Sequence, residues 1–282
     1  MLAELRRLRI AEYVRRHESG VVTVAELSQL LGVSDMTIRR DLAYLESKAL
    51  LRRVHGGAVA YPLLETDKPF IARSAQADAQ KRVIGWLASQ LVQDDERVIL
   101  DAGTTTLQIA YNLTCKSRLT VITNNIPIAK ELSQCPQITI LLLGGIVKHE
   151  EMCTIGTMVK QSLGMLSADK YFLSATSFNL QMGAMENDMA ETEVKQAMLR
   201  AARETILVVD STKFDRTALI QVAPLSQVHK IVTDDGLSPE TIQAIEAQGV
   251  EVLTPLRQAL QPIPENIRGL IESISPNDVA RR

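Results

Sequence analysis

Cysteine, aromatic residues and long apolar runs are all scarce in this sequence of 282 residues. The three cysteines, Cys115, Cys135 and Cys153, form no CxxC pair and are an odd number, which argues against a disulfide framework or a zinc site and fits a reducing compartment. No apolar run approaches the ~18 residues that a membrane span needs, and the charged N-terminus lacks the apolar segment of a signal peptide. We therefore expect a cytoplasmic protein with no membrane contact.

Charge is nearly balanced overall, with 31 Lys and Arg against 33 Asp and Glu, but it is unevenly distributed. Residues 1–61 carry 10 basic and 7 acidic side chains, a net charge of +3, whereas residues 62–282 carry a net charge of −5. The length and the 46% hydrophobic content predict two globular domains and exclude a disordered or collagen-like chain. A small basic unit on a larger acidic one is compatible with nucleic-acid binding, and about equally with chance variation.

Residues 1–58 predict a winged helix-turn-helix domain. Thr23 and Glu26 form a capping box, which marks the start of the second helix. Ile38, Leu42 and Leu45 recur at helical spacing, so the third helix has one buried face. A short strand followed by a glycine turn supplies the wing. The predicted elements are helices over 3–17, 24–31 and 35–47 and a strand over 50–54.

The start of the third helix carries the side chains that would contact DNA, because a helix-turn-helix presents this part of the molecule to base edges in the major groove. Arginine can bind guanine with two hydrogen bonds or pair with phosphate, and hydroxyl groups suit either role. A solvated helix face is the ordinary explanation for two neighbouring arginines, but the caps, the turn and the wing together favour DNA. The predicted DNA-binding residues are Thr23, Ser34, Asp35, Met36, Thr37, Arg39, Arg40, Arg52, Arg53 and His55.

After a proline-containing linker over 59–75, residues 76–255 alternate between helical segments and short apolar strands. This alternation predicts a doubly wound α/β domain around a parallel sheet. The predicted strands are 97–101, 119–123, 138–143, 170–174, 205–210, 230–233 and 250–253, and the predicted helices are 76–91, 104–113, 127–134, 190–202 and 238–248. Residues 256–282 form a tail that the pattern leaves unassigned.

Polar residues follow several of these strands, and the carboxyl ends of parallel strands are the usual ligand site of an open α/β sheet. Each piece alone is more often a helix cap or a strand-end turn, but four of them in one domain favour a binding pocket. Backbone amides at a helix start and the ammonium of Lys213 suit a phosphate group, and Asp101 and Asn124 suit hydroxyl groups. The pattern predicts a phosphorylated polyol as the ligand.

The segment VSDMTIRRDLAYLESKALLRRVHGGA resembles the N-terminal signature of the DeoR family of bacterial transcriptional regulators. The segments LDAGTTT, TVITNN, LLGG, VVDSTKF and VTDDG resemble the effector-binding domain of the same family, which is similar in fold to ribose-5-phosphate isomerase. The resemblance implies a phosphorylated sugar effector bound by Asp101, Gly103, Thr104, Thr105, Thr106, Thr123, Asn124, Gly144, Gly145, Asp210 and Lys213. Further positions that fall on the family pattern, with no defined role, are Phe70, Arg73, Lys81, Gly156, Glu191 and Lys195.

These observations predict a sequence-specific transcriptional repressor that binds operator DNA as a homo-oligomer, a dimer or tetramer, under the control of a phosphorylated sugar. Two alternatives stay open: a sugar-phosphate isomerase or deaminase with a DNA-binding head, and a regulator that senses a non-phosphorylated ligand. Because no carboxylate–histidine or nucleophile–base pair stands out, we expect no catalytic residue and no cofactor. His149, Glu150 and Glu151 are adjacent and predict a solvated turn, so we expect no metal there.

Overall fold

The computed structural model describes residues 3–16, 21–47, 51–54, 56–59, 70, 73, 77–258 and 264–274. The chain divides into two compact units, residues 1–67 and residues 68–282, and each is described by itself. No helix in the described residues combines the length and the apolar character that crossing a membrane requires.

The N-terminal unit is a winged helix-turn-helix. Its second helix begins at a capping box, in which the Thr23 hydroxyl accepts from the Glu26 amide at 3.2 Å and the Glu26 carboxylate accepts from the Thr23 amide at 3.4 Å. Gly32 ends that helix in the left-handed conformation (φ +64°), which glycine adopts without steric cost. The elements are α1 (Ala3–Arg16), β1 (Val21–Thr23), α2 (Val24–Leu31), α3 (Asp35–Ser47), β2 (Arg52–Val54) and β3 (Gly57–Val59).

The three helices enclose an apolar core, and the buried face predicted for α3 is confirmed, since Ile38, Leu42 and Leu45 are all within 2% of complete burial. The wing strand β2 is confirmed as well. The sequence analysis missed β1 and β3, which complete an antiparallel sheet in the order β1-β3-β2.

The C-terminal unit is an α/β domain built on a parallel sheet, as the sequence predicts. Within the described residues the sheet has seven strands in the order β15-β14-β12-β9-β4-β5-β6, and every paired neighbour is parallel. The elements of this unit are α4 (Asp78–Ser89), β4 (Arg97–Leu100), α5 (Thr104–Asn112), β5 (Thr120–Thr123), α6 (Ile126–Leu132), β6 (Thr139–Leu142), β7 (Ile146–Lys148), β8 (Cys153–Ile155), α7 (Thr157–Leu163), β9 (Ala168–Leu173), β10 (Ser177–Asn179), β11 (Gly183–Glu186), α8 (Met189–Ala201), β12 (Ala202–Val208), β13 (Ile220–Ala223), β14 (Lys230–Val232), α9 (Pro239–Glu246), β15 (Glu251–Leu253), α10 (Pro255–Gln258) and α11 (Glu265–Ile274).

Two apolar cores lie on opposite faces of this sheet because strand side chains alternate between the faces. The first core contains Leu100 and Val208 and is covered by α4, α5, α6 and α11. The second contains Ile99 and Leu207 and is covered by α7, α8, α9 and a small sheet of β10, β11 and β13. The two faces matter for the site, because polar residues at the strand ends divide between them.

Several features of this unit were not predicted, among them the helix α7 (Thr157–Leu163). The hairpin β7–β8 and the sheet β10-β11-β13 follow strand ends of the main sheet, where each strand is only three or four residues long. The tail left unassigned contains α11, whose Ile267 and Ile271 are buried in the first core and which packs on α4. The helix α11 is thus an integral part of the domain.

Candidate functional site

The outer side of α3 is open to solvent at its N-terminal end, where the sequence analysis placed the DNA contacts. The Ser34 hydroxyl accepts from the Thr37 amide at 3.4 Å and lies 3.0 Å from the Thr37 hydroxyl, so Ser34 caps the helix as predicted. The side chains exposed on this side are Asp35, Met36, Arg39 and Arg40. A helix end with two adjacent exposed guanidinium groups has the form that major-groove binding requires.

The wing is tied to α3 by an ion pair. Arg53 donates to the Glu46 carboxylate from its amide at 2.9 Å and from its Nε at 2.8 Å, and these bonds hold the pKa of Glu46 below its ordinary value. A cleft of about 540 Å³ lies between α3 and the wing. The side chain of Arg52 and the whole of His55 lie outside the described residues, and Thr23 serves the helix cap. Their contacts with DNA stay predictions.

The sequence analysis missed Asp41, which fixes α3 to α1. Its side chain is 1% exposed and accepts from the Nε atoms of Arg6 at 2.6 Å and Arg7 at 2.8 Å. The Arg7 guanidinium also lies 3.8 Å above the ring of Tyr44. Helical periodicity contained the signal, because position 41 lies on the same stripe as Ile38 and an acidic residue on a buried stripe needs a cationic partner.

In the C-terminal unit, Asp101 follows strand β4 and is the acceptor for several donors. It is 1% exposed and accepts from Lys195 Nζ at 2.5 Å, from the Ser174 amide at 3.0 Å and hydroxyl at 2.9 Å, and from the Ala102 amide at 2.8 Å. Burial lowers the pKa of Lys195, but the carboxylates of Asp101 and Glu186 outweigh it and hold that pKa above the ordinary value. The pair is a buried, fully bonded charge centre at the edge of the sheet.

Further carboxylates surround this centre on the second-core face. Lys148 Nζ binds Glu191 at 2.5 Å and Asp188 at 2.7 Å, and Lys195 Nζ lies 3.6 Å from the Glu186 carboxylate. Burial raises the pKa of Glu191 to about 7, with Glu186 adding to the effect and Lys195 opposing it. Sequence reasoning marked Glu191 and Lys195 through the family pattern alone, because their partners are distant in the chain.

Glu151 joins the same network, and the predicted solvated turn is wrong for this residue. His149 and Glu150 are exposed, but Glu151 is 8% exposed and forms an ion pair with Arg73. Burial raises the pKa of Glu151, while Arg73 and Lys148 lower it. Only the fold could reveal this contact, since its two residues are 78 positions apart.

A second charged group lies on the first-core face of the same sheet edge. Lys81, on α4, is 6% exposed and donates to the main-chain carbonyl of Arg73 at 2.5 Å. Burial lowers the pKa of Lys81 to about 8, with Asp210 opposing this and Lys213 adding to it. Asp210 caps the short turn that carries Lys213. The nine-residue helix α5, which contributes to the same core, begins after Gly103 with no side-chain cap on its amides.

Several of the predicted effector residues hold the loops at this edge. The hydroxyls of Thr106 and Thr123 each donate to a main-chain carbonyl at 2.7 Å, and a Cβ at Gly145 would lie 2.6 Å from a carbonyl oxygen of β8. The Asn124 amide donates to another β8 carbonyl at 2.8 Å, while its own buried Oδ1 has no hydrogen-bond partner. The other predicted positions are Gly103, Thr104 and Thr105 at the start of α5 and the exposed Gly144 after β6. Contact with an effector stays a prediction for the whole set.

The sequence matches two family models, one for each unit. A DeoR-like helix-turn-helix domain matches residues 6–61, and the DeoR C terminal sensor domain matches residues 76–235.

Similar proteins and structures were also found. The HTH-type transcriptional regulator YgbI of Escherichia coli K12 is 37% identical over 84% of this chain and 92% of its own length. A putative aga operon transcriptional repressor of Escherichia coli O157:H7 is 31% identical over 85% of this chain and 90% of its own. Among solved structures, ribose 5 phosphate isomerase A from Neisseria gonorrhoeae matches 50% of this chain and 55% of its own, with 14% identity and a TM-score of 0.36.

Proposed function

Because the chain belongs to the DeoR family of transcriptional regulators, we propose that it is a repressor whose affinity for operator DNA changes when a phosphorylated sugar binds the C-terminal unit. The observation that carries the effector proposal is the division of charge at one sheet edge. Lys81 and Lys213, with Asp210, lie on one face, and five carboxylates outnumber three cations on the other. A molecule with an anionic end and a hydroxyl-bearing end fits this division.

The phosphate end is assigned to the first-core face. Lys81 and Lys213 supply positive charge there. Burial and the repulsion from Lys213 disfavour the charged form of Lys81, and a bound anion would offset both effects. The uncapped amides of the first turn of α5 can donate to phosphate oxygens, and the helix dipole favours negative charge at that end. The phosphate would thereby accept hydrogen bonds from amides that no side chain caps.

The hydroxyl end is assigned to the second-core face. Five carboxylates, Asp101, Glu151, Glu186, Asp188 and Glu191, face three cations there, Arg73, Lys148 and Lys195. This acidic excess would repel a phosphate group but can accept hydrogen bonds from sugar hydroxyls. The buried Oδ1 of Asn124, which has no partner, supplies another acceptor at the same edge.

The DNA-binding part of the proposal rests on the exposed end of α3. A relative is named as a repressor, and the same role is proposed for this chain. Operator half-sites lie about one helical turn apart, or a multiple of it, so a two-fold homo-oligomer, a dimer or tetramer, is proposed as the binding form. The protein then acts in the cytoplasm, where a prokaryote keeps its DNA.

The first experiment is a thermal-shift screen of the full-length protein against ribose 5-phosphate, hexose 6-phosphates, hexosamine 6-phosphates and the matching free sugars. A true effector raises the melting temperature, because binding to the folded state alone stabilises it by mass action. We expect stabilisation by at least one phosphorylated sugar and none by its free form. Stabilisation by free sugars alone would instead favour the non-phosphorylated alternative, and steady turnover of a sugar phosphate would overturn the non-enzymatic assignment.

Lys213→Ala tests the placement of the phosphate, with Lys130→Ala as a matched control at an exposed position of α6. We expect Lys213→Ala to lose the thermal shift and the effector response while binding operator DNA with unchanged affinity. Lys130→Ala should behave like the wild type in both measurements. A normal effector response in Lys213→Ala would remove this lysine from the site.

A further inference from the structure

The start of the C-terminal unit is fastened to the charged sheet edge at two residues. Phe70 is 5% exposed in the first core, and its amide donates to the Glu150 carbonyl at 2.8 Å. Arg73 is held twice, since its guanidinium pairs with Glu151 and its main-chain carbonyl accepts from Lys81 Nζ at 2.5 Å. The chain is therefore anchored by apolar burial, by a backbone hydrogen bond and by charge.

The two groups that hold Arg73 belong to the two faces of the proposed effector site. Lys81 is the buried ammonium of the phosphate end, and Glu151 is one of the carboxylates of the hydroxyl end. An effector that donates to Glu151 competes with the Arg73 guanidinium, and one that accepts from Lys81 binds an ammonium that the Arg73 carbonyl already contacts. Its phosphate would also attract the Arg73 guanidinium itself, because a guanidinium binds phosphate with two parallel hydrogen bonds.

The surroundings of Glu151 also favour an exchange of its partner Arg73. Burial raises the pKa of Glu151, whereas Arg73, Lys148 and Lys195 lower it, so Arg73 is one of three cations that act on this carboxylate. A sugar hydroxyl that donates to Glu151 would replace the guanidinium without leaving a buried carboxylate unbonded. Lys148 and Lys195, whose charges also lower the pKa of Glu151, would remain as its counter-charges after the exchange.

We propose that Arg73 is the residue through which the occupied effector site acts on the DNA-binding unit, by exchanging the bond of its guanidinium to Glu151 for bonds to the effector. Arg73 lies six residues after Asp67, the last residue of the N-terminal unit, so the covalent path from Arg73 to that unit is short. The inference rests on the proposed function and adds its route of regulation. An effector shifts operator affinity only if it binds one of two states more tightly, and the bound and exchanged forms of Arg73 are those states.

The test is a double-mutant cycle on operator affinity, measured by fluorescence anisotropy with labelled operator DNA and the full-length protein without effector. The variants are Arg73→Ala, Glu151→Gln and the double variant, and the control cycle is Arg118→Ala with Asp95→Asn, an exposed ion pair in the same unit. We expect each site variant to shift the operator Kd by about 5-fold or more, towards the value of the effector-bound wild type. The double variant should shift it no further, and the control variants should not shift it.

The response to effector supplies the second measurement. In Arg73→Ala an added sugar phosphate should bind, as seen by thermal shift, and yet change the operator Kd by less than about 2-fold. Arg73→Lys, which keeps the positive charge, should retain part of the wild-type response. Trp86 fluorescence checks folding, because the single tryptophan is buried in α4 of the same unit.

The outcomes separate the two proposals. Wild-type operator affinity and a full effector response in Arg73→Ala would overturn the role of Arg73 while leaving the proposed function intact. If no sugar phosphate binds the wild type, the proposed function fails, and the effector-free cycle still decides the role of Arg73. Additive effects of Arg73→Ala and Glu151→Gln on the operator Kd, or no effect of either, would overturn the role of Arg73. If Arg73→Ala does not fold, Glu151→Gln, which keeps its shape and a hydrogen-bonding side chain, decides in its place.

Discussion

Replacing Lys195 by methionine removes the cation from the most deeply buried ion pair of the C-terminal unit. Met fills a similar volume, so the change leaves the packing of α8 nearly intact and isolates the effect of charge. Asp101 would then stay buried, at 1% exposure, with its bonds to Ser174 and Ala102 but without a counter-charge. Breaking a buried pair from one side costs about 3–5 kcal/mol, and we expect Lys195→Met to lower the free energy of unfolding by that amount.

The assay is urea unfolding followed by Trp86 fluorescence, which reports on this unit alone because the chain has one tryptophan. With a slope of about 3 kcal/mol per molar urea, the midpoint should fall by roughly 1–1.7 M. The double variant Asp101→Asn with Lys195→Met removes both charges and should recover at least half of the loss. A midpoint within about 0.2 M of the wild type in Lys195→Met would refute this prediction, since a buried carboxylate without a counter-charge should destabilise the folded state by more than that shift represents.

Three further predictions concern DNA and effector binding. Arg40→Ala should weaken binding to operator by about 1–3 kcal/mol and narrow the difference between operator and random DNA, and unchanged affinity for both would remove Arg40 from the interface. Operator affinity should fall with salt with a log–log slope of about −3.6 or steeper, because the N-terminal units of the two protomers in a dimer each bring at least the charges of Arg39 and Arg40 to the DNA. A flat response would contradict the electrostatic contact. Lys81 has a pKa of about 8 against 10.5 in the unfolded chain, so its charge is lost as pH rises through about 8. Effector affinity, measured calorimetrically, should therefore fall between pH 7 and 9 in the wild type but stay constant in Lys81→Arg. The free energy of unfolding should rise between about pH 8 and 10.5, because in this range Lys81 holds its proton in the unfolded chain but not in the folded one.

The main elements of the fold were predictable because their burial pattern is local. Ile38, Leu42 and Leu45 repeat at the helical period, and the strands of the central sheet are short continuous apolar runs bounded by turns. The strands β1 and β3 escaped prediction because three residues cannot establish a period of two. The helix α11 escaped because its buried Ile267 and Ile271 stand among prolines that are typical of a tail.

The site was predictable only in outline. The rule that ligands bind at the carboxyl ends of parallel strands identified Asp101, Asn124 and Asp210. Their partners could not be found from sequence, since Lys195 is 94 residues from Asp101. For Asp41 in the N-terminal unit, the sequence contains more of the signal. Its position on the buried stripe of α3 indicates that it needs a cationic partner, although the sequence does not indicate that Arg6 and Arg7 supply it.

The position of α11 has a consequence for how the protein is made. The core between the sheet and α4 is closed by residues of α11, so the C-terminal unit cannot be complete until residue 274 has left the ribosome. The last strand described in the N-terminal unit ends at residue 59, and at synthesis rates of about 5–20 residues per second this strand precedes the end of α11 by roughly 10–40 s. During each round of translation the elements of the N-terminal unit therefore leave the ribosome before the core of the C-terminal sensor unit can close.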